Sequence, residues 1–470
     1  MQGHPPRSPA DGQWPPLHIV TGIVRITDAK LLTTTKNSIL FWRSIVQCVM
    51  VQNEKAEFFL CSAIHDTVGC FTIRTINKKR SKRLGVHMNG YKIEKVSISG
   101  FRRLFSVELP MRPFMVLIGA NGVGKSSFLD TLSLLSASAS GNLNSMLSQW
   151  GGVANLLTRD RSRDISLLAD MNIPDHNLLK YELQIEPTGS GYSISKETLS
   201  QYRDNRQSPF KHIDSAYSNI KYFDVDTEKF VHPNWEHNYF ETSLAQAPKV
   251  FLQSEEFRRI LATANQYHVL DVRSRAPVKL PQAMKPAFLP GVDGENLAPY
   301  LYFLRESDPN TFDVIIDTLR AAFPYFNTLT FPPVAAGMIT MIWNDNKFKS
   351  IYMHELSEGI LRFIWLMSLL YSPHLSTITM IDEPEVSLHP ELLSILVDVM
   401  RETSKRTQLV IATHSDRLVR FLKPEEVVVM DIDEEGCATA TWADTMDLDI
   451  WLNEYSLDEV WKMGRMGGRA

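Results

Sequence analysis

The amino-acid sequence predicts an α/β fold, and three stretches of the chain carry this prediction. Residues 114–118 form an apolar run that leads into a glycine-rich turn and then a helical pattern. Residues 378–381 form a second apolar run that ends in two carboxylates, and residues 409–412 form a third that ends in Thr-His-Ser. Short apolar runs that alternate with helical patterns are typical of buried parallel strands. We therefore predict a parallel core sheet whose strand ends carry the chemistry.

The glycine-rich turn fits a phosphate-binding loop at every fixed position. In the pattern G-x-x-x-x-G-K-[ST], the glycines let backbone N–H groups face phosphates, the lysine reaches the β and γ oxygens, and the hydroxyl binds Mg²⁺. A plain turn between strand and helix is the alternative, and the order strand, loop, helix weighs against it. We predict that Lys125 is also catalytic and that Ser126 is also a metal ligand. The predicted ATP-binding residues are Gly119, Ala120, Asn121, Gly122, Val123, Gly124, Lys125, Ser126 and Ser127.

Two carboxylates close the second apolar run. Asp382 and Glu383 follow the strand-like segment directly and precede Pro384. After a phosphate-binding loop, such a pair supplies a ligand to the Mg²⁺ shell and a general base for the attacking water. We expect Asp382 to bind the metal and Glu383 to be catalytic. An ordinary strand end that enters a turn at the proline is the alternative.

Further motifs follow in a fixed order. Ser357, Glu358 and Gly359 precede an apolar helical segment and lie between the two motifs above. Alone, a serine in this position is only a helix N-cap. Residues 385–390 read Glu-Val-Ser-Leu-His-Pro, and residues 413–415 read Thr-His-Ser. Together the motifs resemble those of ABC-class ATPases of the RecF/SMC-like group, close to the compact bacterial predicted ATPases that include the OLD proteins.

This resemblance implies a P-loop ABC-type ATPase head that dimerises on ATP. In that family the signature serine and glycine, here Ser357 and Gly359, contact the γ-phosphate held by the opposite protomer. Residues 385–390 then stand at the D-loop, and His414 is the switch histidine, a catalytic residue that contacts the γ-phosphate. The implied partner is therefore a second copy of the chain, with higher oligomers left open, and the implied ligands are ATP and Mg²⁺.

The resemblance extends from Tyr91 to the C-terminus and adds two candidate ATP-binding residues. The first strand of the group ends in an aromatic-Arg pair, so Arg102 either touches the nucleotide phosphates or is a solvated strand-end arginine. Where the group carries its Q-loop, the chain reads Gln-Trp-Gly-Gly from Gln149 onward. Gln149 is thus either the γ-phosphate-sensing glutamine or its neighbour.

Short alternating patterns predict an antiparallel sheet beside the core, with strands at 91–99, 106–109, 164–171, 179–185 and 192–198. The interval 201–349 is mixed, with helical patterns near 254–263 and 309–322, and we predict that it forms an inserted lid. No heptad pattern persists through it, so the long coiled coil of SMC proteins is excluded. Only the short segment 416–470 follows the switch motif, less than an appended Toprim nuclease needs.

Charge divides the chain near residue 87. Residues 1–87 carry 12 Lys and Arg against 5 Asp and Glu, whereas residues 88–470 carry 37 against 48. We expect 88–470 to form the ATPase domain. Residues 1–87 are then an extension, either non-native sequence read from an early start codon, and so disordered, or a basic arm whose cluster at 78–83 contacts nucleic acid.

Composition favours a cytoplasmic protein without a membrane partner. The chain of 470 residues is 44% hydrophobic yet contains no apolar run long enough to cross a bilayer. Its 4 cysteines show no metal-site spacing and no disulfide framework, which suits a reducing compartment.

The expected function is Mg²⁺-dependent ATP hydrolysis that switches a dimer, in bacterial DNA maintenance or anti-phage defence. A second hypothesis is an ATP-assembled scaffold that holds a separate toxin or nuclease effector and hydrolyses ATP slowly. DNA is a further candidate partner, through Arg159, Arg161 and Arg163, although Asp160 and Asp164 favour a self-compensated loop equally well.

Overall fold

The computed structural model describes residues 91–467, with gaps at 175, 190, 203–207, 225–226, 249–250 and 348. The predictions for residues 1–87 lie outside this range. Within the described residues, no helix is both long enough and apolar enough to span a membrane.

The described chain contains runs of consecutive strands as well as segments in which strands and helices alternate. The strands are β1 (Lys92–Phe101), β2 (Leu104–Pro110), β3 (Phe114–Ile118), β4 (Ile165–Asn172), β5 (Leu179–Thr188), β6 (Gly191–Gln201), β7 (Phe210–Ser215), β8 (Tyr222–Asp224), β9 (Lys229–Val231), β10 (Asn265–Tyr267), β11 (Gln282–Ala283), β12 (Phe326–Thr330), β13 (Met338–Ile339), β14 (Ile342–Asp345), β15 (Lys349–Tyr352), β16 (Ile378–Asp382), β17 (Gln408–Ala412), β18 (Val427–Ile432) and β19 (Ala438–Trp442). The helices are α1 (Lys125–Ser140), α2 (Leu143–Gln149), α3 (Val153–Leu156), α4 (Ser243–Gln246), α5 (Leu252–Leu261), α6 (Leu297–Ser307), α7 (Pro309–Ala322), α8 (Glu358–Leu370), α9 (Pro390–Thr403), α10 (Asp416–Val419), α11 (Asp449–Leu452) and α12 (Leu457–Lys462).

The core sheet has the order β10-β16-β17-β3-β18-β19. All neighbouring pairs are parallel except β18 and β19, which form an antiparallel hairpin. Side chains of β3 alternate between two apolar clusters, since Phe114, Val116 and Ile118 join one and Met115 and Leu117 the other. Because both faces are covered, every residue of this strand is buried and its sequence is continuously apolar.

The second large sheet is antiparallel and has the order β2-β1-β4-β5-β6-β7-β8-β9. Its strand β4 alternates buried and half-buried residues along its whole length, as expected for a sheet with one face on the core. The flanking antiparallel sheet predicted from the alternating patterns is present. Helix α1 and one face of the core sheet pack with this antiparallel sheet in one apolar cluster.

The interval 201–349 contains helices α4–α7 and several short strands. Two of its parts belong to the main sheets: β7–β9 extend the antiparallel sheet, and β10 pairs with β16 at the edge of the core. Helices α6 and α7 pack on the other face of the core sheet with α8 and α9.

Candidate functional site

The phosphate-binding loop lies at the carboxyl end of β3 and opens helix α1. Gly119 adopts a φ of 148°, and a Cβ there would lie 2.3 Å from the carbonyl oxygen of Met430 on β18. Gly124 precedes the helix with a φ of 117°, a conformation that side chains rarely adopt. The first turn of α1 contains no acidic residue. The start of this 16-residue helix is thus free to face an anion.

Lys125 is buried under the loop that precedes it. Its Nζ donates hydrogen bonds to the carbonyl oxygens of Gly119, at 2.7 Å, and Ala120, at 2.9 Å. Burial lowers the pKa of Lys125, while the charges of Asp382, Glu383 and Glu385 act to raise it. The ammonium group therefore lies among carboxylates at the end of the neighbouring strands, where it can meet the phosphates of a nucleotide.

Ser126 in the first turn of α1 lies beside Asp382 at the end of β16. The Ser126 hydroxyl donates to Oδ2 of Asp382 at 3.2 Å. Burial raises the pKa of Asp382, against the opposing effects of the Ser126 hydrogen bond and the charge of His268. Oxygen ligands of this kind suit Mg²⁺, which usually takes one or two protein ligands and completes its shell with phosphate and water. The described residues contain no group of three or more acidic, His or Cys side chains that could hold a metal unaided. The pair therefore fits a Mg²⁺ ion that arrives with a nucleotide.

Glu383 stands next to Asp382 in a strained backbone conformation. Its φ is 51°, in the left-handed region, and its N–H donates to the carbonyl oxygen of Ala412 at 2.8 Å. Its Oε1 lies 2.9 Å from Nδ1 of His414, at the end of β17. Non-glycine residues held in this region cluster at functional sites because the surrounding structure must enforce them. The predicted general base and switch histidine are thus brought together.

The structure adds His268, which the sequence reasoning missed. His268 follows β10. The last residue of β10, Tyr267, pairs with Ile381 on β16, the strand that ends at the carboxylates. It lines a small cavity together with Asp382, Glu383 and Arg362. The sequence carries only a weak signal that His268 belongs to the site, because β10 has only three residues and lies in the mixed interval far from the other motifs.

The signature segment begins helix α8. Ser357 is the N-cap, and its hydroxyl accepts a hydrogen bond from the N–H of Ile360 at 3.4 Å. Among the described residues, no hydrogen bond joins Ser357 to the loop at 119–126 of the same chain. Instead, the segment packs on the loop after β16: Arg362 contacts the hydroxyl of Ser387 and donates to the carbonyl oxygen of Leu270 at 3.1 Å. The segment predicted to be the signature therefore lies beside the loop that follows the carboxylates at 382–383 in the same protomer.

Arg102 and Gln149 lie apart from these contacts. Arg102 has a φ of 51° and pairs through Nη1 with Asp130 on α1, while its guanidinium lies 5.4 Å from the ring centre of Trp150. It is therefore a paired rather than a solvated strand-end arginine. Gln149 ends α2, and its amide donates to Ser145 at 3.4 Å. The structure does not bring Gln149 to the loop or to the carboxylates, so its phosphate-sensing role stays a prediction.

Family membership follows from the sequence comparison. The sequence model of the family described as "AAA domain, putative AbiEii toxin, Type IV TA system" matches residues 114–420, more than half of the chain. The chain belongs to this family. The matched range includes the phosphate-binding loop, the segment at 357–359, both carboxylates and His414. The match confirms the predicted ATPase family, and the sheet order confirms the predicted P-loop α/β fold. A search among curated proteins finds no match.

Solved structures of SMC heads are similar to this AAA-domain protein. An SMC head bound to the C-winged helix domain of ScpA is 14% identical, with a TM-score of 0.48, and covers 74% of this chain and 97% of its own. The head domain from Thermotoga maritima is 12% identical, with a TM-score of 0.39, and covers 74% and 98%. A head with an extended coiled coil, bound to the C-terminal domain of ScpA derived from Pyrococcus furiosus, is 11% identical, with a TM-score of 0.45, and covers 80% and 99%.

Gly359→Ala is expected to destabilise this AAA-domain protein. A Cβ at Gly359 would lie 2.5 Å from the carbonyl oxygen of Ser387, so the signature helix or the following loop must shift. Overpacking of this kind costs about 1–3 kcal/mol. Helix propensity alone would favour alanine, so a loss would come from the contact. Chemical denaturation measures it.

Gly191→Ala is the matched control, because its Cβ would meet its nearest neighbours at 3.9 and 4.0 Å, an ordinary contact. Equal stability of the two variants would show that the signature helix and the loop do not need this close approach.

Proposed function

We propose that the chain is a Mg²⁺-dependent ATPase that works as an ATP-driven dimerising switch. The observation that carries the proposal is the meeting of two residue pairs at one end of the core sheet. Ser126 lies 3.2 Å from Asp382, and Glu383 lies 2.9 Å from His414, with Lys125 among them. These are the groups that phosphoryl transfer to water requires: a phosphate cradle, a metal ligand and a base.

Each side chain has a role in this proposal. Lys125 and the amides of its loop bind the phosphates, Ser126 and Asp382 hold the metal, and Glu383 takes a proton from water at its carboxylate. When bound, Mg²⁺ neutralises charge on the phosphate oxygens. His414 orients the Glu383 carboxylate and faces the γ-phosphate.

The position of the signature segment supports dimerisation through composite sites. In the described residues Ser357 caps its own helix and makes no hydrogen bond to the loop at 119–126 of its own protomer. The N-terminus of the 13-residue helix α8 favours a negatively charged group, and the acidic residue in its first turn, Glu358, pairs with Arg362 at 3.5 Å. A second copy in head-to-tail arrangement would present its nucleotide there, so that ATP itself links the protomers.

The output of the switch is part of the proposal. We place it in bacterial DNA maintenance or anti-phage defence, in the cytoplasm, with an effector protein or DNA as the partner. The DNA version draws little support from the candidate arginines. Arg161 pairs with Glu435, and Arg159 lies 3.9 Å from Asp160. Among the described residues Arg163 has no ion pair, so the positive charge of the loop is compensated only in part and its attraction for a duplex is reduced.

The second candidate function is a scaffold that ATP assembles around a separate toxin or nuclease. The pairing of Arg161 with Glu435 makes one of the candidate arginines less available to DNA, which is the observation behind this candidate. The family description, which names a toxin of a type IV toxin–antitoxin system, is compatible with that setting.

One experiment tests both candidates. ATP turnover of the full chain is measured alone and with linear duplex, nicked and single-stranded DNA, and proteins that co-purify are identified. Lys125→Ala serves as the control for contaminating activity, because it removes the charge that meets the phosphates. Turnover that DNA stimulates supports the switch acting on DNA. Slow, DNA-independent turnover with a stoichiometric protein partner supports the scaffold, and activity equal to that of Lys125→Ala contradicts the ATPase.

A further inference from the structure

The loop that follows strand β16 carries a second, half-buried glutamate beside the site. Glu385 lies two residues after Glu383, and Oε1 of Glu385 accepts a hydrogen bond from the Thr413 hydroxyl at 2.5 Å. Thr413 is fully buried at the end of β17. Burial raises the pKa of Glu385, and the hydrogen bond from Thr413 acts against that rise.

Thr413 fixes the chain on both sides of His414. Its backbone N–H donates to the carbonyl oxygen of Leu117 at 3.0 Å, and its hydroxyl accepts the N–H of Ser415 at 2.9 Å. A threonine hydroxyl has a single proton to donate, and here that proton goes to Glu385. The carboxylate therefore sets the orientation of the hydroxyl that holds Ser415.

The loop after β16 and the segment at the end of β17 are thus joined at three points. Backbone pairing joins Glu383 to Ala412, a side-chain contact joins Glu383 to His414 at 2.9 Å, and the Glu385 carboxyl joins Thr413. The other oxygen of Glu385, Oε2, is buried and has no hydrogen-bond partner among the described residues. The Thr413 hydroxyl is consequently the hydrogen-bond donor that fixes this carboxyl group from the neighbouring loop.

We propose that Glu385 is a positioning residue for ATP hydrolysis, which acts through Thr413 to hold His414 in register with Glu383. The proposal rests on the proposed ATPase function. It assigns Glu385 no contact with the reacting atoms. Instead, the general base and the histidine keep a fixed relative position because their two loops are bonded at Glu385 and Thr413.

The test compares variants of the full chain by turnover and by direct ATP titration. Thr413→Val keeps the shape of the side chain but removes the hydroxyl, and Glu385→Ala removes its acceptor. We expect kcat to fall by about 10- to 100-fold in each, the cost of misplacing a catalytic group by up to an ångström, with ATP affinity retained. Thr413→Ser, which keeps the hydroxyl, should stay close to the parent.

The double variant Thr413→Val/Glu385→Ala separates positioning from general destabilisation. If the pair acts as one unit, the double variant should be no slower than the slower single variant. Multiplying losses, or lower thermal stability at parental kcat, would overturn the positioning role. If Glu385→Ala fails to fold, Glu385→Met replaces it, because it nearly keeps the size of the side chain and has no oxygen that accepts from the Thr413 hydroxyl.

The two proposals fail differently. A parent protein that hydrolyses ATP together with a Thr413→Val variant of parental kcat overturns the role of Glu385 alone. A parent protein without turnover overturns the ATPase function, and the positioning role with it.

Discussion

Glu383→Gln is expected to keep ATP binding and to lose most of its turnover. The amide has the size and shape of the carboxylate, so the strained backbone at a φ of 51° and the contact with His414 can persist. It cannot accept a proton from the attacking water. Loss of a general base costs about 10²- to 10⁴-fold in rate. Single-turnover hydrolysis and ATP titration measure the two effects separately, and an ATP-bound dimer should accumulate.

Glu402→Gln is the matched control for this prediction. Glu402 lies near the end of α9, its side chain is 65% exposed, and it pairs with Lys405 on the helix surface. The same chemical change there should leave turnover at the parental level. A Glu383→Gln protein that hydrolyses ATP as fast as the Glu402→Gln protein would remove Glu383 from the mechanism.

Ser357→Arg is expected to abolish ATP-dependent dimerisation while the protomer folds normally. Ser357 is exposed at the N-cap of α8, so the longer side chain has room in the monomer. In a composite site it would place bulk where the partner's γ-phosphate must lie. Light scattering with ATP measures the assembly. Loss of the N-cap itself costs about 0.5–2 kcal/mol, too little to unfold an ordinary domain.

Asn310→Arg controls for the substitution, because Asn310 is an exposed residue in the first turn of α7, away from the signature segment. It should dimerise like the parent. Normal pairing of Ser357→Arg would show that the signature does not act across the dimer.

A mixture of Ser357→Arg and Glu383→Gln tests the shared site directly. Each variant alone should be nearly inactive. In a mixed dimer, the nucleotide site of the Ser357→Arg protomer keeps Lys125 and Glu383 and faces an intact signature from its partner. One of the two sites is then complete, and part of the turnover should return on mixing. Absence of any recovery, when mixed dimers are shown to form, would contradict composite sites.

The sequence by itself determined the elements that are coded locally. The loop at 119–126, the carboxylates at 382–383 and His414 are linear motifs, and each follows an apolar run that the structure shows as β3, β16 or β17. Such runs can be recognised because a strand covered on both faces must be apolar throughout. The helical pattern near 309–322 agrees with helix α7, which the structure shows to be capped by Asp308 and to begin at a proline.

Only the tertiary structure decided which distant residues share the site. His268 lies near Asp382 because β10 adds to the edge of the core sheet, and a three-residue strand carries no periodicity that predicts its partner. Arg102 pairs with Asp130 and Glu385 with Thr413 for the same reason. Strand order depends on how both faces of a sheet are packed, and that packing joins segments far apart in the chain. Motifs therefore predicted the chemistry, whereas sheet order determined which distant side chains contact the motif residues.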